Sequence, residues 1–239
     1  MVSKEFLLVF ANSQKNRERC VAGKLLFPFQ NGICDVGPWV RPVHPETGQG
    51  AIPEEMTVID QQPLVPLDVI EIGLSKRAND PDHPEDWQID PRIPWQRAAT
   101  VPKNCVAQLQ DDPLGLWGEA SAHSRRVPVG YVPAMDTPAT LRLVTSALPS
   151  TVQGFMEDRM DGRGPRLRVR LEIQHNGIGH FFDVKDVDFI KRYGIKEHVW
   201  QHEDFQMRFT NPNKVAFCLS LTPPYNGFQY KIAAAIIEL

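Results

Sequence analysis

Short runs of apolar and β-branched residues, separated by polar segments, recur along the first half of the chain. The run at 67–74 is the clearest, because Val69 and Ile70 form a β-branched centre. Runs of this length, bounded by turn-forming residues, are typical of β-strands rather than helices. The pattern predicts strands at 6–10, 20–27, 38–43 and 67–74.

The second half of the chain repeats this pattern and adds a short helix. Asp186 is a typical N-terminal cap and Gly194 a typical residue after a helix end, so we expect a helix over 187–193. Another short helix is predicted near 103–110. Strands are predicted at 140–145, 167–173, 180–184, 215–221 and 230–237. About five strands in each half favour two small β-barrels.

The middle of the chain contains most of the prolines. Sixteen of the 21 prolines lie between Pro38 and Pro149, and proline both removes a backbone donor and interrupts helices. We therefore predict a polar loop excursion over 76–100, anchored by Trp87 and Trp95. The predicted domains are a first barrel with this excursion at 1–100, a connecting region at 101–134 and a second barrel at 135–239.

The composition is that of a folded globular protein, with 42% hydrophobic and 23% charged residues. No apolar run approaches the roughly 20 residues of a membrane-spanning helix. The run at 6–11 is too short for the core of a secretory signal. We therefore expect a cytoplasmic protein whose four cysteines are reduced.

The spacing of chemically active residues gives no complete catalytic motif. The cysteines form no close pair of the kind that binds zinc, and His198 and His202 lie four residues apart without an evident third ligand. No phosphate-binding loop, dinucleotide glycine pattern or nucleophile motif is present. We expect no catalytic residues, no metal and no cofactor.

One arrangement of acidic residues keeps a nuclease open as an alternative. Asp158, Glu172 and the Asp183-Val-Lys185 triplet could be brought together as metal-binding carboxylates with a lysine. Such sites need carboxylates on adjacent strands, and here the triplet runs directly into a predicted helix cap. The metal-bound nuclease is therefore the weaker interpretation.

Charge is unevenly distributed along the chain, although the formal net charge is only −3. Residues 61–120 carry five basic and ten acidic side chains, whereas residues 121–180 carry eight arginines and five acidic side chains. In a strand over 166–173, Arg166, Arg168 and Arg170 point to one face. That face either pairs with acidic residues across strands or forms a groove that follows phosphate groups, as oligonucleotide-binding barrels do.

The first half of the chain offers a matching candidate. Trp39 and Arg41 alternate on one face of the predicted strand 38–43, where an exposed tryptophan beside an arginine would provide base stacking and a phosphate contact. The alternative is that Trp39 belongs to the core. The full predicted nucleic-acid-binding set is Asn12, Ser13, Arg17, Arg19, Trp39, Arg41, Arg166, Arg168 and Arg170.

Several segments, taken in order, resemble the prokaryotic dual-OB-containing domain family. They lie at 6–13, 19–23, 39–43, 67–72, 83–90 (His-Pro-Glu-Asp-Trp-Gln-Ile-Asp), 218–221 and 227–237. The resemblance implies a mainly β fold of two OB-like small β-barrels, with one or two short helices and a Pro-rich connecting region. It also implies nucleic-acid or nucleotide binding rather than a named reaction.

We therefore expect a non-catalytic protein that binds single-stranded DNA or RNA. The resemblance further implies an accessory role in prokaryotic antiviral defence or nucleic-acid processing, with a helicase or nuclease as partner and no membrane partner. Three alternatives stay open: a sensor that closes the cleft between the barrels on a small nucleotide, a nuclease with an unfamiliar site, and a protein-interaction adaptor.

Overall fold

In the computed structural model of the protein, β-strands dominate the part of the chain that the structure describes, residues 2–15, 18–28, 34–46, 50–117, 125–146, 149–158, 164–195 and 205–239. The strands are β1 (Ser3–Lys15), β2 (Glu18–Pro28), β3 (Cys34–Val43), β4 (Val58–Ile59), β5 (Gln62–Pro63), β6 (Asp68–Arg77), β7 (Asp86–Ile89), β8 (Gln96–Thr100), β9 (Arg126–Pro128), β10 (Leu141–Val144), β11 (Ser150–Glu157), β12 (Arg166–His175), β13 (Ile178–Val184), β14 (Phe205–Phe209), β15 (Val215–Leu221) and β16 (Phe228–Glu238). The helices are α1 (Val106–Leu109) and α2 (Val187–Arg192), with 3-10 turns at Glu54–Thr57, Lys103–Cys105 and Pro212–Lys214.

The first barrel is a closed sheet. Its strands lie in the order β1-β2-β3-β7-β6, and β1 pairs with both β2 and β6, so that five strands form a ring. Gly23 lets β1 and β2 approach closely, because a Cβ atom at that position would clash with the carbonyl oxygen of Leu8. Alternate side chains point inward and form the interior, which includes Leu7, Val9, Val40, Ile70 and Ile72.

The second unit is a larger sheet in the order β10-β15-β16-β13-β12-β11-β14, with β9 paired to β16. Its strand pairs are antiparallel except for β13 and β16, which run parallel. The interior includes Leu171, Phe182 and Phe217, and α2 adds Phe189. Trp117 is also part of this interior, and its indole Nε1 donates a hydrogen bond to the carbonyl of Ala139 at 2.7 Å.

Local sequence explains the hairpin between β12 and β13 and the start of α2. Asn176 and Gly177 have φ values of 49° and 78°, the left-handed conformation that a tight two-residue hairpin needs. Asp186 caps α2, because its side chain accepts a hydrogen bond from the backbone N–H of Phe189 at 2.8 Å. The cap at Asp186 was predicted from sequence and is confirmed.

The predicted strands are confirmed in position, and most extend a few residues further. The prediction at 215–221 matches β15 in full. The excursion at 76–100 contains β7 and β8, although its prolines favoured a loop. Strands β9, β11 and β14 were missed because they are short or carry polar residues at alternate positions. The domain boundaries remain predictions, with β9 joining the second sheet from within the predicted connecting region.

A third apolar cluster lies between the two barrels. The first barrel contributes Leu8, Phe10 and Trp39, and the second contributes Leu143 and Ile237, all of them buried. Strands at this contact bury both of their faces, one in their own barrel and one against the other. This explains why every residue of β15 is buried and why six of its seven residues are apolar rather than every second one.

Asp111, in the segment between the barrels, joins them by hydrogen bonds at the edge of this cluster. One carboxylate oxygen accepts from Lys24 Nζ at 2.8 Å. The other accepts from Trp39 Nε1 at 2.9 Å and from the backbone N–H of Leu143 at 2.7 Å. A single side chain therefore satisfies buried donors on β2, β3 and β10, two strands of the first barrel and one of the second.

The segment at 83–90 makes a second connection between the barrels. The carboxylate of Glu85 accepts hydrogen bonds from the backbone N–H and the hydroxyl of Thr140 at 2.6 and 2.8 Å. The adjacent Asp86 pairs with Arg41 at 2.7 Å, and both side chains are buried. Acidic residues of this motif are thus used to hold the fold together.

We expect Asp111→Ala to lower the free energy of unfolding by about 2–4 kcal/mol, because it leaves a buried ammonium, an indole N–H and a backbone N–H without their acceptor. The measurement is urea unfolding followed by tryptophan fluorescence. The matched control is Asp112→Ala, since Asp112 is exposed and should tolerate the change. Equal stability of the two variants would contradict the role assigned to Asp111.

Candidate nucleic-acid interface

The outer face of β11, β12 and β13 carries a cluster of arginines. Leu167, Val169 and Leu171 pack into the second barrel, so alternation along β12 directs Arg166, Arg168 and Arg170 outward, as the sequence predicted. Hairpin pairing places β11 on one side of β12 and β13 on the other. The guanidinium groups are therefore brought together by sheet register rather than by a loop.

Two carboxylates on the neighbouring strands contact these arginines. Glu157 on β11 lies 2.9 Å from Arg166 and 2.7 Å from Arg168. Asp183 on β13 lies 3.3 Å from Arg168 and 3.4 Å from Arg125, a residue just before β9. The expected cross-strand acidic pairing is thus present for part of the cluster.

Positive charge exceeds negative charge in this cluster. Within the described part of the chain, Arg125, Arg166 and Arg168 share the two carboxylates, and Arg170, the fourth arginine, has no ion pair. Burial, and then the nearby charge of Arg125, lower the pKa of Arg170 from its ordinary value. Its Nε is buried without a hydrogen-bond partner among the described residues. The cluster therefore retains unmatched cationic donors.

An aromatic side chain lies within the arginine cluster. Phe155 on β11 points to the same outer face, and the guanidinium of Arg170 lies 4.6 Å from the centre of its ring. The ring is only partly buried and lines a depression of about 490 Å³ together with Arg170 and Phe205. Phe155 therefore adds a partly exposed aromatic surface to the charged face.

The position of Lys185 extends the positive face toward the first barrel. Lys185 follows β13, and its backbone N–H bonds the carbonyl of Ala233 on β16 at 2.8 Å. Burial lowers the pKa of its ammonium group, with the charge of Asp183 acting in the opposite direction. Arg168 and Lys185 line the same cleft of about 400 Å³.

The interpretation of Trp39 as an exposed stacking residue is corrected by the structure. Trp39 is 8% exposed, belongs to the cluster between the barrels, and packs on Phe10 with ring centres 5.4 Å apart. Its indole N–H is taken by Asp111. The alternative stated from sequence, a core residue, describes its position.

The other first-barrel candidates are buried rather than displayed on a surface groove. Asn12 donates to the carbonyl of Leu64 at 2.8 Å, Arg19 pairs with Glu54, and Arg41 pairs with Asp86. Their polar groups stabilise loops and the barrel wall. Ser13 and Arg41 do line a cleft between the barrels. Arg17 lies outside the described residues, so its predicted role is not addressed.

The metal sites considered from the sequence fall only partly within the described residues. His198 and His202 lie outside the described residues. Among the residues that are described, no three His, Cys, Asp or Glu side chains come together in a way that could hold a metal ion. Asp183, one of the nuclease-like carboxylates considered from sequence, is occupied by Arg125 and Arg168.

Sequence reasoning missed Phe155, Arg125 and Lys185. Phe155 sits on a strand whose weak apolar alternation concealed it, and Arg125 precedes a three-residue strand. Recognising the strand at 150–157 would have placed Phe155 across from Arg168 in the antiparallel register. Lys185 was noted, but only as a member of a carboxylate triplet.

A closed five-stranded barrel packed against a second β-sheet unit fits the class of proteins built from two OB-type barrels. The chain belongs to the dual OB-containing domain family, because the sequence pattern of that family matches residues 5–236. The resemblance noted from the sequence is confirmed. No helix within the described ranges is long and apolar enough to cross a membrane.

Comparison with solved structures finds distant similarity over nearly the whole chain. One is a structure titled as a murine DNA binding protein bound with ds DNA, with 8% identity, a TM-score of 0.31 and coverage of 99% of this chain and 100% of the other. Another is titled "Structural mimicry for functional antagonism", with 11% identity, a TM-score of 0.30 and coverage of 98% and 91%. No curated protein matches this chain.

Glu157→Gln should remove part of the acid sensitivity of the fold. Hydrogen bonds from Arg168, and further from Arg166, lower the pKa of Glu157 to about 2 from its ordinary 4.5. The carboxylate therefore stabilises the folded state above pH 4.5, and that contribution is lost as the pH falls toward 2. Urea unfolding at several pH values should show the variant less stable by about 1 kcal/mol at pH 7 and nearly equal to wild type near pH 2.

Glu172→Gln is the matched control for this titration. Glu172 lies on the same outer face of β12 but forms no ion pair within the described part of the chain. Its removal should leave the difference between pH 7 and pH 2 as in the wild type. Parallel pH profiles for wild type and Glu157→Gln would show that the arginine contacts do not hold the carboxylate.

Proposed function

We propose that this protein binds single-stranded nucleic acid through the outer face of β11, β12 and β13, without catalysing a reaction on it. The observation that carries the proposal is the arginine cluster. Among the described residues, Glu157 and Asp183 pair with Arg125, Arg166 and Arg168, and Arg170 has no ion pair. Membership of a dual OB family supports it, because barrels of this type commonly bind oligonucleotides or oligosaccharides.

The chemistry of the cluster fits phosphate groups. Arginine presents a planar fork of donors that matches two oxygens of a phosphate, and donors left over from the carboxylates are available for this purpose. Arg166 and Arg125 have 40% and 37% of their side-chain surface exposed, so both can reach a ligand without unfolding the face. A backbone of regularly spaced phosphates would satisfy several of these groups at once.

The partly exposed ring of Phe155 favours a single strand over a duplex. Unpaired bases can leave their stack and lie against an aromatic ring, whereas paired bases cannot. Arg170 on one side of the ring supplies the positive charge that commonly accompanies such contacts. The combination of stacking and phosphate contacts binds many sequences with little discrimination.

The biological setting is proposed from the family resemblance and from the sequence. An accessory role in prokaryotic antiviral defence or nucleic-acid processing, beside a helicase or nuclease in the cytoplasm, suits a protein that holds a strand without cutting it. The absence of a recognisable nucleophile motif in the sequence supports the non-catalytic part of this proposal.

Replacing Arg166, Arg168 and Arg170 together with Gln should weaken binding of single strands of any sequence. The dependence of the logarithm of affinity on the logarithm of salt concentration should flatten by roughly 2, since each lost phosphate contact with a single strand contributes about 0.7. The measurement is fluorescence anisotropy with labelled single-stranded DNA and RNA at several salt concentrations. Gel analysis of the same samples should show that the strands stay intact.

The matched control removes the same charge elsewhere. Lys76, Arg77 and Lys103 are exposed in the first half of the chain, and their replacement by Gln should leave the salt dependence within about 0.7 of the wild-type value. If the two triple variants behave alike, the arginine face is not the contact surface. If wild-type protein does not bind at low salt, where this attraction is strongest, the nucleic-acid proposal fails and an adaptor role takes its place.

Phe155→Ala should affect strand binding, whereas Trp39→Ala should affect the stability of the fold. Phe155→Ala should weaken strand binding by about 1–3 kcal/mol with an unchanged salt slope, because a stacked base is lost rather than a phosphate contact. Trp39→Ala should instead reduce the free energy of unfolding by about 3–5 kcal/mol, because it empties the contact between the barrels. Anisotropy and urea unfolding on both variants separate these effects. A stable Trp39→Ala with specific loss of binding would contradict the assignment of Trp39 to the core.

A further inference from the structure

A cleft of about 330 Å³ lies between the two barrels, separate from the outer face of the arginine cluster. One wall is formed by β1, β2 and β3 of the first barrel, and the other by β10, β15, β16 and the residues after β15 and β13. The volume is at the lower end of the roughly 300–1,000 Å³ typical of small-molecule pockets. It suits one nucleotide-sized group rather than a length of strand.

Small side chains keep this cleft open and largely apolar. Ala11 and Ala22 lie on the first-barrel wall, and Ala234 faces them from β16. The same strands carry larger residues where the barrels touch, such as Phe10 beside Ala11. The barrels are therefore in contact on one side of these alanines and apart on the other, which leaves a slot with apolar walls.

Polar groups line the same cleft. Thr222 Oγ1 accepts a hydrogen bond from the backbone N–H of Tyr230 at 2.9 Å, so its own hydrogen stays available for a ligand. Ser13 and Ser220 add hydroxyl oxygens that can still accept. A slot with apolar walls and a few hydroxyls matches a flat heterocycle that carries donors and acceptors on its rim.

A free ammonium group lies where this cleft meets the neighbouring one. Lys185 and Gln14 line both the inter-barrel cleft and the cleft of about 400 Å³ that contains Arg168. Lys185 Nζ forms no hydrogen bond or ion pair within the described ranges of the chain. Asp183 on β13, two residues before Lys185, forms ion pairs with Arg125 and Arg168 instead. Among the described residues, this ammonium group therefore lies without a hydrogen-bond or ion-pair partner at one end of the apolar cleft.

We infer that the inter-barrel cleft binds one nucleobase and that Lys185, with Arg168 beyond it, binds the phosphate attached to that nucleoside. The ligand chemistry is a nucleoside monophosphate, either free or as one unit of a strand whose remaining phosphates follow the arginine cluster. The strand-bound form rests on the proposed function, whereas the free form does not.

The experiment uses 2-aminopurine, whose fluorescence reports the surroundings of the base. The probes are free 2-aminopurine riboside 5′-monophosphate, the riboside without phosphate, and a labelled oligothymidine strand that contains one 2-aminopurine. We expect the monophosphate to bind and the riboside to bind about tenfold or more weakly, since a charge-assisted contact is lost. Lys185→Gln should reduce the affinity for the monophosphate to that for the riboside.

Gln14→Trp tests the slot itself. Gln14 is partly exposed and lines both clefts, so a larger side chain there should obstruct the base and weaken binding of monophosphate and riboside alike. The matched controls are Lys214→Gln and Gln62→Trp, two exposed positions away from both clefts, which should bind as the wild type does. Urea unfolding of each variant confirms that the fold is kept.

The outcomes separate this inference from the proposed function. If the strand binds by anisotropy but neither free nucleotide nor strand-borne base responds, the cleft site is wrong and the arginine face stands. If the monophosphate binds and the strand does not, the cleft site stands as a sensor of free nucleotides and the proposed function fails. Wild-type affinity in both Lys185→Gln and Gln14→Trp overturns the cleft site.

Discussion

The apolar contact between the two barrels is the constraint on which the rest of the structure depends. Leu8 and Phe10 from the first barrel meet Leu143 and Ile237 from the second, and none of these residues faces water. Burial of this kind is non-directional, so by itself it would allow the barrels to slide and rotate. The directional bonds of Asp111 and Glu85 select one arrangement. Asp111 accepts from donors at fixed positions on both barrels, and Glu85, next to β7, accepts from Thr140 just before β10.

Sequence patterns were sufficient to predict the positions of strands that have a distinct apolar face or a long apolar run. They located the arginines of β12 on one face, because successive side chains of a strand point to opposite faces and this can be read from the sequence alone. They also located the cap at Asp186, where one residue type performs a local task. The two-barrel fold and the family followed from the same segments.

The sequence could not reveal which face of a strand would be covered by the other barrel. Trp39 shares a strand face with Arg41, as an exposed stacking residue would, and only the packing of the second barrel against β3 buries it. The same holds for Arg41 and Arg19, whose partners Asp86 and Glu54 are 45 and 35 residues away in the chain. Long-range pairing also formed the cleft at Lys185, which joins residues of β1 to residues after β13.

Strand β16 belongs to the interior of one barrel and to the contact with the other, and a bulge makes this possible. Opposite β15, Cys218 pairs with Ala235 and Leu219 pairs with Ala233, so Ala234 is an extra residue that shifts the alternation. Ala233 and Ile236 then face the second interior, while Ala234 and Ile237 face the first barrel.

The order of synthesis gives this sharing a consequence. The first barrel is complete in sequence well before β16 leaves the ribosome, yet one of its apolar sides stays uncovered until that strand arrives. During translation the first barrel can therefore be closed while it still exposes an apolar surface that favours association. The synthesis of β16 sets the time at which that surface is covered.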